Sequence, residues 1–131
     1  MPARLEHVNV TVSDPHATAA MLGRLFGWRI RWEGPAKHDG YTVHVGDAFD
    51  YLAVYRAPAD YEGAGQRPPV DSYATRGGLN HVAIVVDDLD AVEARVRAEG
   101  YTPENHADYE PGRRFYFRDR DGIEFEVVSY A

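Results

Sequence analysis

The run LNHVAIVVDD at residues 79–88 repeats the chain's own opening, LEHVNVTVSD at residues 5–14, and His81 stands 74 positions after His7. Read as strands, both runs alternate with a period of two. His7, Asn9 and Thr11 then share one face and Val8, Val10 and Val12 the other, while His81, Ala83 and Val85 separate from Val82, Ile84 and Val86 in the same way. The same offset sets Asp14 on Asp88, Ala17 on Ala91 and Leu52 on Glu126, whereas Gly27-Trp28 meets Gly100-Tyr101 only after a slip of one residue. The closing strands, YLAV at 51–54 and FEVV at 125–128, are read as aligned without a gap. A chain of 131 residues can bury one ordinary core but not two independent ones. The repeat is therefore a supersecondary module, and the expected fold is α+β: two tandem βαβββ modules within a single domain over 1–131. Module one spans 4–56, a linker 57–78, and module two 79–131.

Local chemistry punctuates each module. Asp14 is a good N-cap and Pro15 suits a first helical turn, so a helix is expected up to Phe26, with Gly27 ending it. Residues 28–33 alternate as a strand that Gly34-Pro35 should break, followed by strands at 41–45 and 49–55. In module two, Asp88 caps a helix that presents Leu89, Val92 and Val96, and Gly100 ends it. Tyr101 opens a strand, Arg113–Arg118 forms the next, and residues 123–129 form the last, with Glu124, Glu126 and Val128 turned away from Ile123, Phe125 and Val127. The linker carries three prolines and several glycines and no period.

The composition excludes several function classes. There is no cysteine, hence no disulfide and no thiolate metal site, and the amino terminus lacks a signal-peptide pattern; a cytoplasmic protein is expected. No apolar run approaches the ~20 residues of a membrane helix. A net charge of −7 with scattered arginines argues against a nucleic-acid track, which leaves a small molecule as the expected partner. The glycines are dispersed, and no phosphate loop, dinucleotide fingerprint or Ser-His-Asp arrangement competes.

If the two sheets curl into a cupped, partly closed β-barrel, His7, His81 and Glu126 converge inside it. Two imidazoles and one carboxylate suit a divalent metal that keeps positions open for substrate or water. Tyr116 is a candidate donor of a proton or hydrogen bond to substrate. Arg113, Arg114 and Arg118 are candidate anion contacts, His44 is a further candidate for the cup, Asn9 lies two residues from His7 on the same face, and His16 and His38 are expected at the surface. Tyr61 and Tyr73 in the linker are read as surface packing rather than pocket lining. Single replacement of His7, His81 or Glu126 by alanine is expected to remove metal with little loss of fold.

At these residues the chain resembles the vicinal oxygen chelate superfamily, which gathers glyoxalase I, extradiol dioxygenases, fosfomycin-modifying enzymes and bleomycin-resistance proteins. The resemblance rests on LEHVNVTVSDP followed by LFGW, on LNHVAIVVDDLDA, and on FYFRDRDGIEFEVV, with Arg120 where proline is usual. It implies paired βαβββ modules, commonly in a homodimer, and a metal held from first and last strands, the positions of His7, His81 and Glu126. The implied cofactor is one divalent ion, Fe, Mn, Ni, Co or Zn. The implied activity is lyase, isomerase or extradiol-type dioxygenase chemistry on vicinal oxygens, with Glu126 and Tyr116 as catalytic residues; the alternative is a non-catalytic binding protein of the bleomycin-resistance type. Leu52 is read as standing where glyoxalase I-like enzymes carry a second acidic residue. His106 stands upstream of the closing motif at a spacing slightly longer than the extradiol signature allows.

Overall fold

The computed structural model describes residues 1–109 and 112–131. The chain forms two compact units, Met1–Gln66 and Arg67–Ala131, and each has the expected βαβββ order.

Unit one contains β1 (His7–Thr11), α1 (Pro15–Phe26), β2 (Arg29–Pro35), β3 (Tyr41–Gly46) and β4 (Tyr51–Arg56). Its mixed sheet runs β1-β4-β3-β2, with β1 parallel to β4 and the other pairs antiparallel. The side chain of Asp14 accepts the N–H of Ala17 at 3.2 Å, and Gly27, at φ 73°, closes the helix in the left-handed region. Met21, Leu22 and Leu25 are buried with Val43, Val45, Leu52 and Val54 on the side of the sheet that α1 covers. Two boundaries differ from the sequence expectation. β2 continues through Gly34 and Pro35, which pair with Thr42 and Tyr41; β2 is the outermost strand of the order, where a missing proline N–H removes no ladder bond. β4 begins at Tyr51 rather than at Phe49, which is exposed beyond a turn in which Asp47 accepts the N–H groups of Phe49 and Asp50.

Unit two contains β5 (Val82–Val85), α2 (Leu89–Ala98), β6 (Glu104–Tyr109), β7 (Gly112–Arg118) and β8 (Glu124–Ser129), and its mixed sheet runs β5-β8-β7-β6. Asp88 caps α2 by accepting the N–H of Ala91 at 3.0 Å. Val96, Phe115, Phe117, Phe125 and Val127 are fully buried, with the rings of Phe117 and Phe125 stacked at 5.2 Å; each such side chain contributes about 1.5–3 kcal/mol by leaving water. Tyr101 does not open a strand. Its ring lies 5.9 Å from Phe117, and β6 starts only at Glu104, with a register shift against β7 before Ala107. Before β8, Asp119 Oδ1 accepts the N–H groups of Asp121 and Ile123, and Gly122 turns the chain at φ 77°. Burial pushes the Asp119 carboxyl above its usual range, and these two backbone donors oppose that shift. This turn fixes the phase in which Glu124 and Glu126 enter the sheet.

The linker is not featureless. Ser72–Ala74 forms a short 3-10 turn, capped by Asp71, which accepts the N–H of Tyr73 at 2.9 Å. The division between the two units falls inside the segment read as linker.

The strand register corrects the alignment of the two repeats. In unit one His7 lies opposite Tyr51, Val8 opposite Leu52 and Asn9 opposite Ala53. In unit two Val82 lies opposite Phe125 and Ala83 opposite Glu126. Leu52 therefore corresponds to Phe125, and the residue in the place of Glu126 is Ala53. The one-residue slip seen at Gly27 and Gly100 persists to the closing strand instead of being restored. Because strand side chains alternate, that one step moves Leu52 to the helix side, where it is 5% exposed. The place read for Leu52 passes to Ala53, whose methyl side chain cannot hold a metal or move a proton.

Candidate functional site

In each unit one sheet face packs on the helix, and the candidate residues lie on the other. In unit two that second face carries His81, Tyr116, Glu124, Glu126, Arg114 and Arg118. Tyr116 lies directly opposite Glu126 and Arg118 opposite Glu124 in the β7–β8 ladder. The His81 ring has a carboxylate on each side: Nε2 is 3.1 Å from Glu126 Oε1, and Nδ1 is 3.4 Å from Glu124 Oε2. The second oxygen of each carboxylate is taken by an arginine. Arg114 donates to Glu126 Oε2 at 2.8 Å, and Arg118 to Glu124 Oε1 at 2.9 Å. The Arg114 and Glu126 side chains are 11% and 8% exposed, so this pair is withdrawn from water, whereas Arg118 is half exposed.

Tyr73 completes the cluster from the segment before β5. Its hydroxyl donates to Glu124 Oε2 at 2.5 Å and lies 3.1 Å from His81 Nδ1. Bonding to Glu124 pushes the Tyr73 phenol up to about 12, so it stays a proton-bearing donor at neutral pH. Tyr116 meets His81 edge to face at 5.6 Å, and burial, then the charge of Glu126, raises its phenol above the ordinary value. It too stays protonated, which suits a hydrogen-bond donor to an oxygen ligand. Sequence reasoning set Tyr73 aside as surface packing and gave no part to Glu124. No period marks an irregular segment, so only the fold shows where the Tyr73 hydroxyl goes.

In unit one the corresponding face carries His7, His44, Tyr51 and Trp32. The Tyr51 ring stacks on His7 at 4.9 Å and on His44 at 4.5 Å, and Trp32 lies 5.1 Å from His44. Arg31 covers the Tyr51 ring at 4.7 Å. Burial, then the neighbouring His7, lowers the affinity of His44 for a proton. His7 Nδ1 is 2.8 Å from Glu6 Oε1, the same oxygen that accepts the Tyr51 hydroxyl at 3.0 Å. The bond to His7, then that to Tyr51, holds the Glu6 carboxyl below its usual range.

Unit two thus brings His81, Glu126 and Tyr116 together, and His7 stands on the matching face of unit one. Other candidates are excluded by the side they occupy. His106 Nε2 is 3.0 Å from Glu93 on α2, and Arg113 donates to Asp90 of the same helix at 3.0 Å, so both belong to the helix side. His16, exposed as expected, meets Glu33 at 2.6 Å, and the exposed His38 lies 5.1 Å from the Tyr61 ring.

Among the described residues, no group of three or more His, Asp or Glu side chains is arranged to hold a metal ion. Judged by donor chemistry, the pair on unit two fits one. His81 Nε2 and Glu126 Oε1 face each other, and the Nδ1 of both His7 and His81 is already engaged, so Nε2 is the nitrogen through which either ring would ligate. No helix of the described residues is long and apolar enough to cross a membrane.

Comparison with solved structures places the fold. The chain is similar to the glyoxylase/bleomycin resistance protein/dioxygenase domain from Frankia sp. EAN1pec, at 20% identity over 98% of both chains with a TM-score of 0.77. It is also similar to the fosfomycin resistance protein FosX from Listeria monocytogenes, solved with Mn(II) and sulfate, at 20% identity over 98% of this chain and 93% of that one with a TM-score of 0.69. FosX from Mesorhizobium loti matches at 23% identity over 98% and 92%, with a TM-score of 0.70. A search of curated proteins finds no significant match. The family model for the Glyoxalase/Bleomycin resistance protein/Dioxygenase superfamily matches residues 4–127, nearly the whole sequence, and the chain belongs to that superfamily.

Proposed function

We propose that the protein is a divalent-metal-dependent enzyme acting on a small molecule, with His7, His81 and Glu126 as metal ligands and two neighbouring substrate oxygens completing the coordination. The observation that carries this reading is the approach of His81 Nε2 to Glu126 Oε1, 3.1 Å apart on the sheet face that the helix does not cover. When bound, a divalent ion supplies Lewis acidity to a coordinated oxygen or, if it is iron, a site for oxygen activation. The chain's own part is to orient and to exclude water. Arg114 holds Glu126 in place through its second oxygen, and Tyr116, kept protonated, donates a hydrogen bond to a substrate oxygen. Lyase, isomerase and extradiol-type dioxygenase reactions all meet these requirements. The Mn(II) in the Listeria FosX structure supports a metal-dependent reading for a chain of this fold.

The test is metal content. Protein purified without a histidine tag and titrated with Mn, Fe, Ni, Co and Zn is expected to bind about one ion per site. Near-zero occupancy with every metal would leave the second reading, non-catalytic sequestration of a small molecule. That reading is favoured by one observation, since the Arg114 guanidinium already balances the Glu126 charge.

The proposal includes a cytoplasmic homodimer. The lack of cysteine suits a reducing compartment. Association is supported by the exposed apolar side chains of Leu5, Trp32, Phe49, Leu79 and Val85. Sedimentation is expected to give twice the chain mass at micromolar concentration, and a monomer alone would remove this part of the proposal.

A further inference from the structure

The two histidines read above as ligands are held at the same edge by the same pair of residue types, which the internal repeat does not relate. In unit one Glu6 Oε1 meets His7 Nδ1 at 2.8 Å and accepts the Tyr51 hydroxyl at 3.0 Å. In unit two the Tyr73 hydroxyl meets His81 Nδ1 at 3.1 Å and donates to Glu124 Oε2, which itself lies 3.4 Å from that nitrogen. The parts are exchanged between the halves. Tyr51 and Glu124 take the equivalent place beside the histidine on the closing strand, while Glu6 precedes β1 and Tyr73 comes from the 3-10 turn before β5. The repeat sets Asn80, not an acid, on Glu6. Duplication of one module does not account for the pairing, because each half builds the same contact from different positions.

We propose that Tyr73 with Glu124, and Tyr51 with Glu6, are positioning pairs that hold the Nδ1 edges of His81 and His7 and so present each Nε2 to a bound divalent cation. The inference rests on the metal-binding reading given above. An imidazole that ligates through Nε2 carries no hydrogen there, so its ring proton belongs on Nδ1 and needs an acceptor. In unit two the Tyr73 proton goes to Glu124, which leaves the tyrosine oxygen free to accept from Nδ1–H. In unit one Glu6 accepts from both. A carboxylate behind the ring fixes its rotation and makes the far nitrogen a better donor to the metal.

Zinc is the probe, because it is diamagnetic and needs no substrate. Wild type, Tyr73→Phe, Tyr51→Phe, the double variant and Glu124→Gln are compared by calorimetric zinc titration against a competing chelator and by ring 15N spectra of the zinc-loaded proteins. Phenylalanine keeps the ring packing and removes only the hydroxyl. Each single tyrosine variant is expected to lose about tenfold in zinc affinity and the double variant about a hundredfold. The Nδ1 proton of His81 should be visible and protected in wild type and lost to exchange in Tyr73→Phe, with the His7 signal unmoved; Tyr51→Phe should do the reverse. Glu124→Gln, tested in case Tyr73→Phe is poorly folded, should weaken zinc binding without touching His7. If wild type binds zinc through His81 and the variants bind it equally with unchanged ring signals, the positioning pairs are disproved and the metal site stands. If wild type binds no divalent ion, the metal reading falls and takes this inference with it.

Discussion

Replacing Glu126 with alanine is expected to destabilise the protein by about 3–5 kcal/mol even in the presence of a chelator, because the change strands a buried guanidinium. Arg114 is 11% exposed and its terminal nitrogen is 2.8 Å from Glu126 Oε2. With the carboxylate gone, the cation still has the backbone carbonyl of Gly112 and the Tyr109 ring beside it, neither of which carries a compensating charge. Removing the charge on both sides, as Arg114→Met with Glu126→Met, should recover most of the loss, since the cost lies in the unpaired charge rather than in the absence of the pair. Urea denaturation of the two single variants and the double variant measures this directly. A Glu126→Ala variant as stable as wild type would mean that the pair is solvated. A loss of the expected size would count against the sequence-based expectation that Glu126 can be removed at little structural cost, which treated the residue as a ligand alone.

The second large effect separates Leu52 from Ala53. Leu52→Glu would set a carboxylate among Val8, Val43, Val45 and Val54 on the helix side of sheet one. Such a group costs several kcal/mol or is protonated instead, a large share of the roughly 5–15 kcal/mol that holds a domain together. Ala53→Glu points to the other face, beside Asn9 and His44, where the imidazoles of His7 and His44 offer partners. Ala53 is itself buried, so the longer side chain has to displace its neighbours, but with polar partners at hand the variant should keep a midpoint of denaturation above that of Leu52→Glu. The reverse order would return Leu52 to the His7 face and undo the register described here.

That pair of residues also marks where sequence reasoning stops. Capping aspartates, the glycine at the end of α1 and the alternation of β1, β5 and β8 were all readable, because each depends on neighbours in the chain. The faces of β5 and β8 were therefore assigned correctly, and Tyr116, His81 and Glu126 do share one side of a sheet. The register of β4 against β1 was not readable. It depends on a one-residue difference after α1 that the eye can restore at any later loop, and with a period of two a single misplaced step exchanges core for site. The partners of Glu126 were invisible for a different reason. Arg114 reaches it across a ladder, and Tyr73 reaches Glu124 from a segment with no period at all. Contacts of that kind are properties of the folded surface, not of any window of sequence.

The placement of Tyr73 bears on where this chain can be cut. Drawn by sequence similarity, the second half begins at Leu79, and a fragment or module transplant designed on that boundary would carry His81, Glu124 and Glu126 but leave the tyrosine behind. The compact second unit begins twelve residues earlier, at Arg67. Two contacts tie that stretch to the rest of the unit: the Tyr73 hydroxyl donates to Glu124 on β8, and the Arg67 guanidinium lies against Gly122 in the turn that leads into that strand. The compact unit and the piece that repeats are thus different lengths of the same chain, and half-molecules built for exchange between relatives should follow the first.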